Sequence, residues 1–116
     1  MNPRLLERRV ESDFVKDGYL VQRALFSLKH LPGGRIISHQ SDFFGVWDLI
    51  AVKPGECVLI QVCSGGTLKR HMNLIDKTFP HTTWAKQVLR YYYKNKGRWA
   101  FTNFVRLESG WVIDNH

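Results

Sequence analysis

Apolar residues near the start of the chain recur with the spacing of one helix face. Leu6, Val10 and Phe14 stand four residues apart, and side chains at that spacing lie on one side of an α-helix. Pro3 suits the first turn of a helix, and Gly18 suits the position after its end. The pattern therefore predicts an amphipathic helix over about residues 3 to 17.

Short apolar runs bounded by turn residues follow this helix and predict β-strands. The predicted strands cover residues 19–24, 35–39, 46–52 and 57–63. The third and fourth are joined by Lys53-Pro54-Gly55-Glu56, in which Pro and Gly favour a tight turn. Farther along, the pattern predicts a helix over about residues 67 to 78 and a hairpin over residues 86 to 107 that turns near Asn95-Lys96-Gly97-Arg98.

The length and composition are those of one globular domain. Of 116 residues, 44% are hydrophobic and 23% are charged, which is too apolar for a disordered chain. We therefore expect a single domain over residues 1–116. No apolar run approaches the roughly 20 residues of a membrane helix, and the first residues lack the apolar segment of a signal peptide. These features predict a cytoplasmic protein without a membrane-spanning segment.

The two cysteines, Cys57 and Cys63, fall in one predicted strand. At that separation they would be about 20 Å apart, too far for a disulfide. We therefore expect free thiols. The five histidines are scattered along the sequence, a distribution that does not favour a zinc site.

Basic residues clearly outnumber acidic ones. The chain has 17 Lys and Arg against 10 Asp and Glu, a net charge of +7 at pH 7 and a pI of about 9.7. The excess is uneven, since the net charge is +1 over residues 1–58 and +6 over residues 59–116. This balance indicates a polyanionic partner, and nucleic acid is the first candidate.

The predicted hairpin of the third and fourth strands places an acid opposite an amide. A turn centred on Pro54 and Gly55 pairs Asp48 with Gln61, and Cys63 lies two residues farther along the same face. Directly opposed residues have Cβ atoms about 5 Å apart, which lets two side-chain oxygens hold one metal ion. A carboxylate in an apolar run has to be paired, hydrated or bound to a metal. The alternative is a hydrogen-bonded aspartate at a strand end.

A second acid borders the buried stripe of the first helix. At 100° per residue, Glu7 lies next to the face of Leu6, Val10 and Phe14. Glu7 can therefore reach over the edge of the sheet, whereas Asp13 is expected to point away. The alternative for Glu7 is an ordinary surface acid of the helix.

The order of helix acid, strand aspartate, hairpin and polar residue resembles the PD-(D/E)XK nucleases. Within them it is similar to the archaeal-type Holliday junction resolvases and their phage relatives. The similarity implies an α/β fold with a central mixed β-sheet flanked by helices, a restriction-endonuclease-like core. It also implies a homodimer and Mg²⁺-dependent cutting of four-way DNA junctions. The matching segments are Leu6-Glu7-Arg8-Arg9-Val10, Gly18-Tyr19-Leu20-Val21-Gln22-Arg23-Ala24-Leu25-Phe26-Ser27, Trp47-Asp48-Leu49-Ile50-Ala51 and Leu59-Ile60-Gln61-Val62-Cys63-Ser64.

The resemblance implies a role for each matching residue. The metal, Mg²⁺ or alternatively Mn²⁺, would be held by Glu7, Asp48, Gln61 and Val62, with Ser27 as the serine after the first strand. The sequence departs from the family pattern at the final Glu-x-Lys pair, where it has Gln61 and Cys63. The amide offers a cation an oxygen but no charge. The missing lysine normally positions the attacking water or stabilises transition-state charge, and our hypothesis is that Lys69 replaces it.

Contacts to the DNA backbone are expected from basic residues near these acids, although each is also compatible with a solvated surface charge. Such contacts recognise the shape and charge of branched double-stranded DNA rather than its sequence. Two alternatives remain open, a nuclease of the same fold that acts on other branched DNA and a non-catalytic nucleic-acid-binding homologue. The aromatic residues of the predicted C-terminal hairpin favour core packing or a dimer interface over base stacking. The predicted DNA contacts are Arg8, Arg9, Arg23, Lys29, Arg35, Lys69 and Arg70.

Overall fold

The computed structural model describes residues 3–24, 26–40 and 42–114. Two helices and eight strands form its regular structure, and a 3₁₀ turn over Gly65–Thr67 leads into the second helix. In chain order they are α1 (Pro3–Lys16), β1 (Leu20–Arg23), β2 (Phe26–His30), β3 (Ile36–Gln40), β4 (Leu49–Lys53), β5 (Glu56–Ser64), α2 (Leu68–Thr78), β6 (Lys86–Asn95), β7 (Arg98–Leu107) and β8 (Gly110–Asp114).

Six of the strands form one mixed sheet in the order β1-β4-β5-β6-β7-β8. Only β5 and β6 are parallel among the described pairs, and α2 lies in the connection between them, as a parallel crossover requires. Strands β2 and β3 form a separate two-stranded hairpin. The α/β class, with a mixed sheet flanked by two helices, is confirmed. None of the described helices has the length and apolarity needed to cross a membrane.

The predicted register of the third and fourth strands is confirmed. Lys53 pairs with Glu56 and Leu49 pairs with Ile60, so the tight turn lies at Pro54 and Gly55. Gly55 has a φ of +79°, a conformation that glycine adopts without steric cost. Continued by one residue, this register places Asp48 opposite Gln61.

The third strand begins later than predicted. Strand β4 starts at Leu49 rather than at residue 46, because the preceding residues form a tight turn closed by a bridge between Phe43 and Trp47. Phe44 and Gly45 both have positive φ angles within this turn. The turn places Asp48 directly before β4. There its backbone hydrogen-bonds to Ala24, which follows β1, and to Ile60 of β5.

The side chains of the sheet alternate between two hydrophobic cores. Val58, Ile60 and Val62 of β5 pack on the face covered by α1, together with Leu6 and Val10. On the other face, Leu59 and Cys63 pack with α2, and the alternation of the strand directs Gln61 to this face as well. The residues at the end of β5 therefore meet α2, and Gln61 and Cys63 lie on one face, as the predicted alternation required.

Two strands were not predicted. Strand β8 pairs with β7 through Val105 and Val112 and forms one edge of the sheet, and β2 pairs with β3. Both strands have five residues. Their formation depends on the neighbouring strand that each one meets.

Candidate functional site

A cavity of about 360 Å³ opens where α1, the residues before β4, the end of β5 and the start of α2 come together. Its walls include all three of the acid and amide positions singled out from the sequence. The lining also includes an acid before β4, Asp42, and two basic residues of α2, Arg70 and His71. The residues are Leu6, Glu7, Asp42, Asp48, Gln61, Val62, Cys63, Ser64, Thr67, Arg70 and His71.

The backbone of Asp48 is held from both sides. Its N–H donates to the carbonyl of Ile60 at 2.9 Å, and its carbonyl accepts from the N–H of Ala24 at 2.8 Å. The carboxylate Oδ2 accepts from the N–H of Val62 at 3.0 Å. Asp48 is 6% exposed, so a buried carboxylate is fixed in place between β1 and β5.

This buried carboxylate titrates far from its ordinary range. The pKa of Asp48 is raised from 3.8 to about 8, mainly by burial and also by the negative charges of Glu7 and Asp42, while the hydrogen bond from Val62 N–H acts in the opposite direction. Desolvation and like charge both disfavour the ionised form. A cation in the cavity would offset both effects, because a nearby positive charge favours the ionised carboxylate.

Glu7 reaches the cavity from the first helix. Its side chain is buried, with 6% exposure, next to the Leu6 side chain that anchors α1 on the sheet. The structure therefore brings Glu7 and Asp48 together, as the helical position of Glu7 predicted. They are contributed by elements about forty residues apart in sequence, so only the packing of α1 on the sheet makes them neighbours.

Gln61 lines the same cavity and has an unused acceptor. Its Nε2 donates weakly to the carbonyl of Val62 at 3.4 Å. Its Oε1 is buried and has no hydrogen-bond partner among the described residues. An unsatisfied buried acceptor costs about 1 to 3 kcal/mol, so this oxygen is suited to a ligand that enters the cavity.

The opposite wall is basic and comes from the start of α2. Arg70 and His71 line the cavity. Nδ1 of His71 lies 2.8 Å from the carbonyl of Thr67, and a carbonyl only accepts, so Nδ1–H is the donor. In the neutral ring, Nε2 is then left as an acceptor. Lys69, the predicted replacement for the missing lysine, is exposed and is not among the described lining residues.

Cys63 is a buried, neutral group at the end of β5. It is 5% exposed, and burial, together with the charge of Asp48, raises the pKa of its thiol to about 12. A thiol in this state is not a nucleophile at neutral pH. Its role is to fill space in the core against α2.

The predicted DNA contacts are distributed over different surfaces. Arg8 and Arg23 line a groove of about 330 Å³ beside Glu7, on the β1 side of α1, where Arg23 also lies 3.6 Å from Glu11. Arg9 lies on the opposite flank of α1. Arg35 is exposed before β3. The side chains of the predicted residues Ser27 and Lys29 lie outside the described part of the structure.

Two cavity residues were missed by reasoning from sequence. Asp42 hydrogen-bonds to the carboxyl of Asp48, but it precedes an irregular turn and belongs to no periodic pattern. His71 was one of five scattered histidines, and no spacing rule connects it to Asp48. Only the packing of α2 on the sheet shows that His71 lines the cavity.

Oxygen atoms dominate the donor set of this cavity, and hard cations such as Mg²⁺ prefer oxygen ligands. Within the described ranges, no group of three or more His, Cys, Asp and Glu side chains forms a metal site by itself. An amide oxygen, backbone oxygen or water would have to complete the coordination of a bound cation. The unused Oε1 of Gln61 fits this requirement.

The chain was compared with known families and proteins. It matches no family model and no curated protein.

Proposed function

We propose that the protein is a metal-dependent endonuclease that hydrolyses phosphodiester bonds in branched DNA, with four-way junctions as its substrate and a restriction-endonuclease-like core. One observation carries the proposal. Buried Asp48 lines one cavity together with Glu7, Gln61, Arg70 and His71, and Oε1 of Gln61 has no hydrogen-bond partner among the described residues. The similarity of the matching segments to the junction resolvases supports the choice of substrate.

The cavity residues fit a hard divalent cation, Mg²⁺ or Mn²⁺. Carboxylate oxygens of Glu7 and Asp48, the amide oxygen of Gln61 and the backbone oxygen of Val62 would hold it, and water would complete the coordination. When bound, such a cation lowers the pKa of a coordinated water and neutralises charge on the phosphate. The high pKa of Asp48 supports this assignment, because the carboxylate lacks sufficient positive charge nearby.

The basic wall supplies the remaining chemistry of hydrolysis. Arg70 binds a phosphate oxygen and stabilises the charge that develops on it. Nε2 of His71 accepts the proton of the attacking water as the new oxygen–phosphorus bond forms. The ester bond on the opposite side of phosphorus breaks, and the leaving oxygen takes a proton from solvent. In this assignment Arg70 and His71 replace the family lysine, rather than Lys69.

Binding of the DNA backbone is assigned to the groove beside the cavity. Arg8 and Arg23 lie there with Arg4, and the groove leads to Glu7. These contacts depend on counterion release and recognise backbone shape. Paired cuts across a four-way junction require two cavities related by a two-fold axis, so a homodimer is part of the proposal.

Cleavage of a panel of labelled DNAs tests this function. We expect wild-type protein to cut a four-way junction in Mg²⁺ and Mn²⁺ but not in EDTA, and to cut flaps, nicked duplex and linear duplex more slowly. Asp48→Asn and Glu7→Gln should abolish or strongly reduce cutting while junction binding in EDTA persists. The matched controls are Asp17→Asn and Glu108→Gln, which replace exposed acids outside the cavity.

Two results would contradict the proposal. Cutting that persists in chelator would exclude a metal-dependent reaction, and cutting by Asp48→Asn within a few-fold of wild type would remove Asp48 from the site. Binding of the junction by wild type without any cutting in either metal would favour the non-catalytic homologue.

A further inference from the structure

A second groove, of about 300 Å³, runs along the flank of α1 that faces away from Arg8 and Arg23. Its floor is aromatic and comes from the hairpin of β6 and β7, which contributes Tyr92, Trp99 and Phe101. Tyr92 pairs with Phe101 in the sheet register, and Trp99 and Phe101 are two residues apart on β7. All three rings therefore lie on one face of the sheet.

This face is only partly covered by the fold. Helix α1 packs mainly on β1, β4 and β5, and the aromatic rings lie beyond it. Phe101 is 44% exposed and Trp99 is half-buried. Tyr92 belongs to the core of this face and is 3% exposed, so the groove offers the exposed parts of the Trp99 and Phe101 rings at its floor.

Arg90 holds the floor in a fixed geometry. Its guanidinium carbon lies 4.1 Å from the centroid of the Phe101 ring and 5.4 Å from that of Phe14. Nη1 donates to Asp13 and Nε donates to Asn103, each at 2.9 Å. The side chain of Arg90 is 7% exposed. A buried cation therefore lies against the two phenylalanine rings and is held by two hydrogen bonds.

The rim of the groove is left with positive charge. Asp13 is the acid on this wall, and its charge is balanced by Arg90. Arg9 and Lys16 are exposed on the same flank of α1, and the Nζ of Lys94 lies 5.4 Å from the ring centroid of Trp99. Cations therefore surround the aromatic floor.

We propose that this groove binds single-stranded DNA, with unpaired bases stacked on Trp99 and Phe101 and phosphates bound by Arg9 and Lys16. Aromatic platforms inside a basic groove are the features by which proteins bind single strands. In duplex DNA the faces of the bases are stacked on one another and are not accessible. Only an unpaired strand can therefore contact both the aromatic rings and the basic rim of the groove. The inference does not depend on the proposed nuclease activity, since the groove lies on the other flank of α1 from the acidic cavity.

Charge complementarity favours DNA over a second copy of the chain as the occupant. In a two-fold interface each patch meets itself, so the rims formed by Arg9, Lys16 and Lys94 would face one another. Like charges in close contact oppose association. A nucleic-acid strand brings the opposite charge to the same rim.

Fluorescence anisotropy in EDTA tests the proposal without any contribution from cleavage. The probes are a labelled oligothymidylate and a labelled duplex of equal length. We expect Trp99→Ala to weaken binding of the single strand by about tenfold, the effect of losing one base stack, and to leave duplex affinity within about twofold. Trp99→Phe should retain most of the affinity, because it keeps a ring at this position.

Two further variants and two controls separate binding from folding. Arg9→Gln and Lys16→Gln change exposed side chains and should weaken single-strand binding while lowering its dependence on salt. Trp84→Ala removes an exposed tryptophan outside the groove, and Lys77→Gln removes an exposed cation in the last turn of α2. Neither control should change the affinity.

Several outcomes would overturn the proposal. The first is that wild type does not bind the single strand. The second is that the Trp99 and Arg9 variants bind it with unchanged affinity. The third is that the variants lose affinity equally for the single strand and the duplex. Sedimentation of the same variants tests the competing occupant. If Trp99→Ala converts a dimer to a monomer while single-strand affinity is unchanged, the groove is a dimer interface and the proposal is wrong.

Discussion

Replacing Asp48 with asparagine should make the protein more stable in the absence of divalent cations. The substitution keeps the size of the side chain and an oxygen that can accept the hydrogen bond from Val62 N–H. It removes an ionisable group that is 6% exposed and lies near Glu7 and Asp42. The expected gain is therefore electrostatic.

The size of the gain follows from the pKa of Asp48, which is about 8 in the folded protein against an ordinary value of 3.8. Each pKa unit corresponds to about 1.4 kcal/mol. By linkage, this difference between the folded and unfolded pKa values lowers the free energy of unfolding relative to its value at acid pH. The decrease is about 4 kcal/mol at pH 7 and about 6 kcal/mol above pH 9. Water entry and local rearrangement reduce the amount that a melting experiment records.

The sign of the pH dependence is determined by the direction of the shift. Below about pH 4, Asp48 is protonated in both states and contributes no difference. Between pH 4 and 8 the unfolded chain has lost the proton while the folded protein retains it, so the free energy of unfolding falls as the pH rises. The decline ends above the folded pKa of about 8.

Thermal and urea melts of wild type and Asp48→Asn from pH 5 to pH 9, in EDTA, measure this difference. For a chain of this size, about 4 kcal/mol corresponds to a rise in Tm of up to roughly 15 °C. The gap between the variants should widen as the pH rises. Added Mg²⁺ should raise the Tm of wild type by mass action and should have much less effect on Asp48→Asn.

The reasoning would be refuted if Asp48→Asn melted at or below the wild-type temperature throughout this pH range. It would also fail if the gap between the two proteins did not change with pH. Asp17→Asn serves as the control, since Asp17 is exposed and its replacement should change neither the gap nor the response to Mg²⁺.

Three other substitutions test the cavity. Gln61→Glu adds a charge beside Asp48, so the variant should have a lower Tm than wild type in EDTA. It should bind Mg²⁺ at least about tenfold more tightly, as measured by calorimetry. An unchanged Mg²⁺ affinity would exclude residue 61 as a ligand. His71→Asn should slow single-turnover junction cleavage about a hundredfold, whereas Lys69→Ala should change the rate only a few-fold; the reverse order would assign the proposed catalytic role to Lys69 instead of His71. Cys63→Ser should leave cleavage nearly unchanged because the thiol is neutral and buried, and metal-independent loss of activity in this variant would contradict the proposed chemistry.

Local patterns in the sequence were sufficient for much of the fold. The helical period of Leu6, Val10 and Phe14 predicted α1, and the Pro54-Gly55 turn determined the register that places Asp48 beside Gln61. Both features depend on residues close in sequence, whose geometry follows from helix pitch and turn type. The two candidate metal-binding acids could be chosen for the same reason.

Packing at a distance decided the rest. The sequence could not indicate that Asp42 and His71 would join Asp48 in one cavity, because a turn and a crossover helix bring them there. Asp13 was expected to point away, yet it binds the buried Arg90 of β6, which lies 77 residues later in the chain. The same packing raises the pKa of Asp48, since burial and the charges of neighbours depend on three-dimensional surroundings rather than on residue type. Periodicity describes one element at a time, and the chemistry of this protein arises where separate elements meet.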